Sequence, residues 1–151
     1  MAKYNIQGTS TPSVTAATAG IVKVEQPAGT TVMKILGFVM GPNVASADIV
    51  YGIELKRQTT AGTWTTQTPA PTDVNFRASA AVGATSSSAA GAASTILWRS
   101  GFHQRAGIQI VPIPGAEWFV TTTVSNGVIL EYMFAGDGTT NGNVVTLTFE
   151  E

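Results

Sequence analysis

The stretch IVYGIELK, Ile49–Lys56, decides the fold class of this chain. Its large apolar side chains fall at every second position, and Gly52, Glu54 and Lys56 fall between them. A period of two is that of a β-strand, whose successive side chains point to opposite faces. One face of this strand therefore packs on a core, and the other face carries polar groups.

The same alternation recurs along the chain, outward from this stretch. It appears at Ile108–Ile110, Val128–Phe134 and Val144–Phe149. Turn residues separate these runs, and Asn126-Gly127 and Ala61-Gly62 both predict hairpins. About eight strands with a break roughly every ten residues predict an antiparallel sandwich or barrel in a single all-β domain.

Three segments depart from this pattern. Val32–Met40 is apolar on both faces apart from Lys34, so it is either central in the sandwich or covered by a partner. Ala78–Ala93 lacks large apolar residues, and its low complexity predicts a loop. The first 18 residues have too few apolar groups to offset the entropy of ordering alone. We therefore predict an extended arm over residues 1–18, with one short strand that orders only against something else, and a β-sandwich domain over residues 19–151.

Charge is scarce in this sequence. Charged residues make up 11% of the chain, against ~25% in ordinary globular domains. Two interpretations fit: a Thr-rich domain of extracellular style, or a subunit whose surface is covered by neighbours. The net charge is −1 and the basic residues are scattered. Nucleic-acid binders usually show a basic patch, so we predict no nucleic-acid partner.

Membrane, export and thiol chemistry are also disfavoured. The most apolar run has nine residues, whereas a membrane-spanning helix needs ~20. The first ten residues lack the apolar core of a signal peptide, so we expect a soluble protein made without export. With no cysteine, the chain can form neither a disulfide nor a thiolate metal site.

The best place to look for catalysis is WRSGFHQRAGIQIVPIPGAEWFV, Trp98–Val120. It contains His103, the only histidine, whereas a metalloenzyme on a β-sandwich needs two or three. No G-x-S-x-G pattern marks a nucleophile. Asp137, Asn141 and Asn143 could form a weak calcium site, but a solvated turn explains them better. We therefore predict no enzyme activity, no metal and no cofactor.

Several short segments resemble one group of known proteins. They are ELKRQTTAGT at Glu54–Thr63, TPAPTD at Thr68–Asp73, QRAG at Gln104–Gly107, PIPG at Pro112–Gly115 and TFEE at Thr148–Glu151. These segments resemble small virion proteins of tailed bacteriophages. Ile108 or Ile110 stands where that group is expected to have a Trp. The resemblance implies a β-sandwich of jelly-roll type, a head decoration (cement) role and a homotrimer.

From these observations we predict a capsid decoration protein. It would be made in the host cytoplasm and would stabilise the virion by bridging major capsid subunits on the outside of the head. The predicted subunit or capsid contacts are Tyr4, Ile6, Val32, Ile35, Phe38, Trp98, Arg99, Phe102, His103 and Arg105. The alternative is a tail or fibre component that binds host surface glycans. An enzyme on the same sandwich is the third class.

Overall fold

The computed structural model is all-β. It describes residues 1–10, 20–26, 32–43, 50–60, 62–89, 93–120, 123, 126–133 and 142–151. These residues form twelve strands and no helix. The strands are β1 Lys3–Ser10, β2 Gly20–Glu25, β3 Met33–Pro42, β4 Val50–Gln58, β5 Thr63–Gln67, β6 Ala70–Pro71, β7 Val82–Ala89, β8 Ala93–His103, β9 Ile108–Ile110, β10 Trp118–Val120, β11 Gly127–Tyr132 and β12 Asn143–Glu150.

Two antiparallel sheets form a sandwich, as the alternation predicted. Sheet A has the order β10-β3-β12-β1-β6, with β9 also paired to β3, and sheet B has the order β5-β7-β2-β11-β4-β8. The core lies between them, because every second side chain of the central strands points to the other sheet. The largest fully buried side chains include Tyr4 and Phe149 from sheet A and Tyr132 from sheet B.

The pairing follows a regular order along the chain. Strand β1 pairs with β12, β2 with β11, β3 with β9 and β10, and β4 with β8. Successive pairs lie alternately in sheet A and sheet B. The first third of the chain therefore runs beside the last third as one antiparallel ribbon that folds over itself. Strands β5 and β7 extend sheet B beside β2, and β6 extends sheet A beside β1.

Both predicted hairpins are wrong. Strand β5 follows the Ala61-Gly62 turn, but it pairs with β7 and not with β4. Strands β10 and β11, on the two sides of Asn126-Gly127, lie in different sheets. Strands β4 and β5 belong to the same sheet but are not neighbours, and β10 and β11 belong to different sheets, because the pairing partners of these strands lie elsewhere in the chain.

The predicted N-terminal arm differs from the structure over its first ten residues. Strand β1 is an integral strand of sheet A, and Tyr4 and Ile6 are 0% and 1% exposed. The strand predicted within this segment is present, and it orders against β12 of the same chain in an unbroken register from Lys3 to Ser10. Residues 11–18 of the predicted arm lie outside the described residues.

The structure also answers the predictions for Val32–Met40 and Ala78–Ala93. Strand β3 is central in sheet A, which is the first of the two alternatives for Val32–Met40. A bulge at Leu36, beside Gly37 with φ 145°, turns both Ile35 and Phe38 toward the core. The predicted loop at Ala78–Ala93 is wrong, because it contains strand β7. Its small residues are needed there, since a side chain on Gly83 would collide with Ile6.

Candidate interaction surface

Half of the predicted contact residues lie inside the chain. They are at most 5% exposed and belong to the core: Tyr4, Ile6, Ile35, Phe38 and Phe102. Large apolar side chains on a strand are equally suited to a core and to an interface, and the sequence pattern does not separate the two. These five side chains are therefore buried and cannot contact a partner.

The other predicted residues lie nearer to solvent. Trp98 is half-buried, and its ring meets Phe38 edge to face at 5.4 Å. Arg99 pairs with Glu54 at 3.0 Å and keeps 52% of its side chain exposed. His103 is half-buried, and Val32 and Arg105 are exposed; the four residues Trp98, Arg99, Phe102 and His103 share strand β8.

The described residues contain no cluster that suits a metal ion. No group of three or more His, Asp or Glu side chains comes together among them. Asp137 and Asn141 lie outside the described residues, and the buried Asn143 donates from Nδ2 to the Tyr132 hydroxyl at 2.8 Å. Likewise, no helix in that part of the chain is long and apolar enough to cross a membrane.

The outer face of sheet A carries exposed apolar side chains on one side. Phe119 lies opposite Lys34, and Gln109 lies opposite Val39, so Phe119 and Val39 point away from the core. We define the apolar half as Val32, Leu36, Val39, Val111 and Phe119. Four of these residues are 47–67% exposed. A shallow groove of about 190 Å³ between β3 and β9 is lined by Leu36, Val39 and Val111 among others.

The rest of this face is polar, and its charged residues are gathered at one end, where Glu150 lies between Lys3 and Lys34 on the neighbouring strands. Strands β12 and β1 present threonines and amides here, and the Thr148 hydroxyl donates to Asn5 Oδ1 at 2.8 Å. Lys34 pairs with Glu117 at 2.9 Å beside the apolar half. Hydrogen bonds from Lys34 and from backbone N–H groups lower the pKa of Glu117. Away from that end, the polar groups of this face are uncharged threonines and amides.

On the outer face of sheet B, charged side chains form ion pairs with one another. We define the ion cluster as the six side chains on this face that pair with one another: Lys23, Glu25, Glu54, Lys56, Arg99 and Glu131. Lys23 meets Glu25 at 2.7 Å, and Lys56 meets Glu54 at 2.5 Å and also contacts Glu131. Three cations balance three carboxylates, and Glu54 and Glu131 are only 6% and 2% exposed.

The ion cluster also covers an apolar residue. Ile129 faces away from the core, between Lys23 and Lys56 on the neighbouring strands, and it is fully buried. Lysine side chains can cover apolar surface with their aliphatic stems while the ammonium group is paired. Burial lowers the pKa of Lys56, but hydrogen bonds to Glu131 and Glu54 outweigh it and raise the pKa above its usual value.

Sequence reasoning missed Val39, Val111 and Phe119. The available signal was the alternation of β3, since Val39 has the opposite parity to Phe38 and Met40. In comparisons with known proteins, no family model, curated protein or solved structure matches this chain.

Proposed function

We propose that this chain is a viral structural protein that decorates the outside of an icosahedral phage head and stabilises the shell. The proposal begins from the sequence resemblance to phage virion proteins. It is supported by the scarcity of charge and by the way the two outer faces of the sandwich differ. Its partner would be the major capsid protein, and the trimer that the resemblance implies stays a prediction.

We also infer that the sandwich is of the jelly-roll type with eight principal strands. The order of pairing supports this inference, because strands from the two ends of the chain pair in sequence and alternate between sheets. Two Greek keys that wrap one ribbon into two sheets have this arrangement. In this interpretation β9 and β10 together act as one strand, and β5, β6 and β7 are additions to the sheet margins.

The apolar half of sheet A is the observation that carries the proposal. Its exposed side chains lie on or directly beside strands β3, β9 and β10, and Lys34 among them is already paired with Glu117. Burying such a surface against a partner gains about 25 cal/mol per Å² of apolar area. A molecule that bridges neighbouring shell subunits adds this free energy to the cohesion of the shell, and many copies act together.

Glycan binding by a tail component receives less support. It predicts exposed aromatic platforms, but all three tryptophans are half-buried. Trp98 and Trp118 pack against the core, and the Lys23 ammonium lies 5.5 Å from the ring centre of Trp64. The tryptophans are thus occupied within the chain.

Particles with and without the chain test the proposed function. We expect the chain in purified virions of the virus that encodes it, and we expect particles lacking it to release their DNA at lower temperature. Adding back the purified chain should restore the release temperature. Particles that lack the chain and yet resist heat and osmotic shock as complete particles do would contradict the proposal.

A further inference from the structure

One sheet margin of the sandwich is much longer than the others. Strand β8, at the margin of sheet B, has eleven residues, whereas β5 at the opposite margin has five. One margin of sheet A is formed by β9 and β10 with three residues each, and the other by the two residues of β6 and then by Ile6–Ser10 of β1. Proteins usually keep edge strands short or cover them, because an open edge pairs with other strands. Strand β8 is the exception here.

Backbone groups of β8 point away from the sheet. The Met133 N–H donates to the Gly52 carbonyl from the β11 side, so Gly52 does not bond to β8. Because bonded and non-bonded pairs alternate along an antiparallel ladder, its partner Gly101 and, two residues away, Arg99 direct their N–H and C=O groups outward. Among the described residues no strand pairs with this edge, and both residues are exposed.

Gly101 is not required by the fold of the chain itself. A Cβ on Gly101 would lie 3.7 Å from the Tyr51 carbonyl oxygen and 3.8 Å from the Val50 side chain, which are ordinary contacts. The backbone of Gly101 is not in the left-handed region. A glycine inside a strand weakens it and often marks a place where another backbone approaches closely. Within the described part of the chain, no strand lies beside β8 on that side.

We propose that β8 pairs antiparallel with β8 of a second copy of this chain about a two-fold axis at Ser100. In this register Arg99 lies opposite the second copy's Gly101, and the two exchange about four hydrogen bonds counted over both symmetric pairs. The two sheets B become one continuous sheet. The proposal does not rest on the decoration role.

The side chains of β8 are self-complementary in this register. The Arg99 guanidinium reaches back over its own sheet to Glu54, and Gly101 of the second copy, opposite Arg99, has no side chain that would collide with the Arg99 stem. Trp98 lies opposite Phe102 on the inner face, and cross-strand aromatic pairs stabilise sheets. The opposing Ser100 residues are small at the axis. The segment Trp98–Phe102 is therefore complementary to a second copy of itself that runs in the opposite direction.

The symmetry of this contact predicts the size of the assembly. A two-fold contact uses the same strand on both copies, so it closes at two subunits and does not build a trimer. The expected mass is twice the chain mass of 15.6 kDa. The dimer and the trimer implied by the resemblance are therefore separated by one mass measurement.

The experiment combines sedimentation with hydrogen exchange on the full chain. At about 100 µM, a contact with a dissociation constant of about 1 µM is saturated, and we expect a dimer. Gly101→Arg places like charges opposite each other, so we expect its dimer dissociation constant to rise about tenfold or more. Gly101→Glu faces Arg99 with an opposite charge, so it should remain dimeric. Gly41→Arg is the matched control, because a Cβ at Gly41 has no neighbour within 4 Å.

Hydrogen exchange on the unaltered chain keeps the test independent of whether a variant folds. The amides of Arg99 and Gly101 should exchange more slowly as concentration rises through the dimer range. A monomer or trimer at about 100 µM, or a dimer whose Arg99 and Gly101 amides show no such slowing, would overturn the inference. A monomer that still binds particles would leave the proposed function intact.

Discussion

The outer face of sheet B and the apolar half of sheet A both point away from the core, but they meet water differently. On sheet B, the ion cluster pairs three cations with three carboxylates and covers Ile129 completely. On sheet A, Val39 and Phe119 remain about half exposed, and Lys34, which pairs with Glu117, lies directly opposite Phe119. The charges of sheet B are paired within the chain, although Val50 and Ile96 on the same face remain 62% and 46% exposed. Sheet A exposes a larger group of apolar side chains, and fewer of the charges on it are paired with one another.

The comparison shows where the few charged residues of this chain lie. Six of its charged side chains neutralise one another on sheet B, and they add little to the repulsion that keeps proteins apart. Exposed apolar side chains scattered singly are common on protein surfaces, whereas several on the same sheet face are a candidate interface. This difference is the physical basis for placing the proposed capsid contact on sheet A.

The largest expected effect comes from breaking the ion cluster. Lys56→Met keeps most of the aliphatic stem over Ile129 but removes the charge that Glu131 and Glu54 share. Because Glu131 is 2% exposed, losing its partner leaves a buried carboxylate unpaired, which costs about 3 kcal/mol. Urea unfolding should show a midpoint lower by roughly 1–3 M.

Lys34→Met is the matched control on sheet A. Its ion pair with Glu117 lies in a more open position, with 28% of the Lys34 side chain exposed. Exposed pairs contribute little, so the midpoint should move by less than about 0.3 M. Equal losses in the two variants would contradict the distinction between the ion cluster on sheet B and the more open ion pair on sheet A.

The pH dependence of stability sharpens the same comparison with a smaller effect. The pKa of Lys56 is raised in the folded protein above 10.5, so the stability it contributes is present below that pH and is lost as pH rises further. For one group the slope is at most about 1.4 kcal/mol per pH unit. Lys56→Met should therefore lose stability less steeply than the unaltered chain above pH 10.5.

At low pH, we expect the loss of stability to involve Glu117, the partner of Lys34 on sheet A. The pKa of Glu117 is lowered below 4.5, so its contribution is present above that pH and is lost as pH falls. Glu117→Gln should flatten the decline below pH 4.5 and leave the alkaline limb unchanged. Chemical unfolding measured at a series of pH values checks both limbs, and an interchange of the two effects would contradict the assignment.

The sequence predicted the fold class through strict alternation, and its failures have physical causes. Strands β4, β11 and β12 were recognisable because large apolar residues recur at every second position. Strand β7 was not, because its small residues let it pack closely against β1, and low complexity concealed that role. The strand count was also too low, with about eight predicted and twelve described, since strands of two or three residues carry no period.

The candidate surface was harder to predict than the fold. Tyr4, Ile35 and Phe38 looked like contact residues because a strand pattern gives parity but does not say which parity faces inward. The bulge at Leu36 then reverses that parity within β3. Phe119 lies in a three-residue strand whose outward direction is known only from its pairing opposite Lys34. Long-range pairing, which the sequence does not encode locally, decides all of these cases.

The most direct measurement is binding of the purified chain to particles that lack it, followed by co-sedimentation. The double variant Val39→Ser/Phe119→Ser changes only exposed side chains, so it should fold as the unaltered chain does while its affinity for particles falls about tenfold or more. Val50→Ser, a similarly exposed valine on sheet B, is the control and should bind normally. Undiminished binding by the double variant, or an equal loss in the control, would contradict the claim that the apolar half of sheet A is the capsid contact.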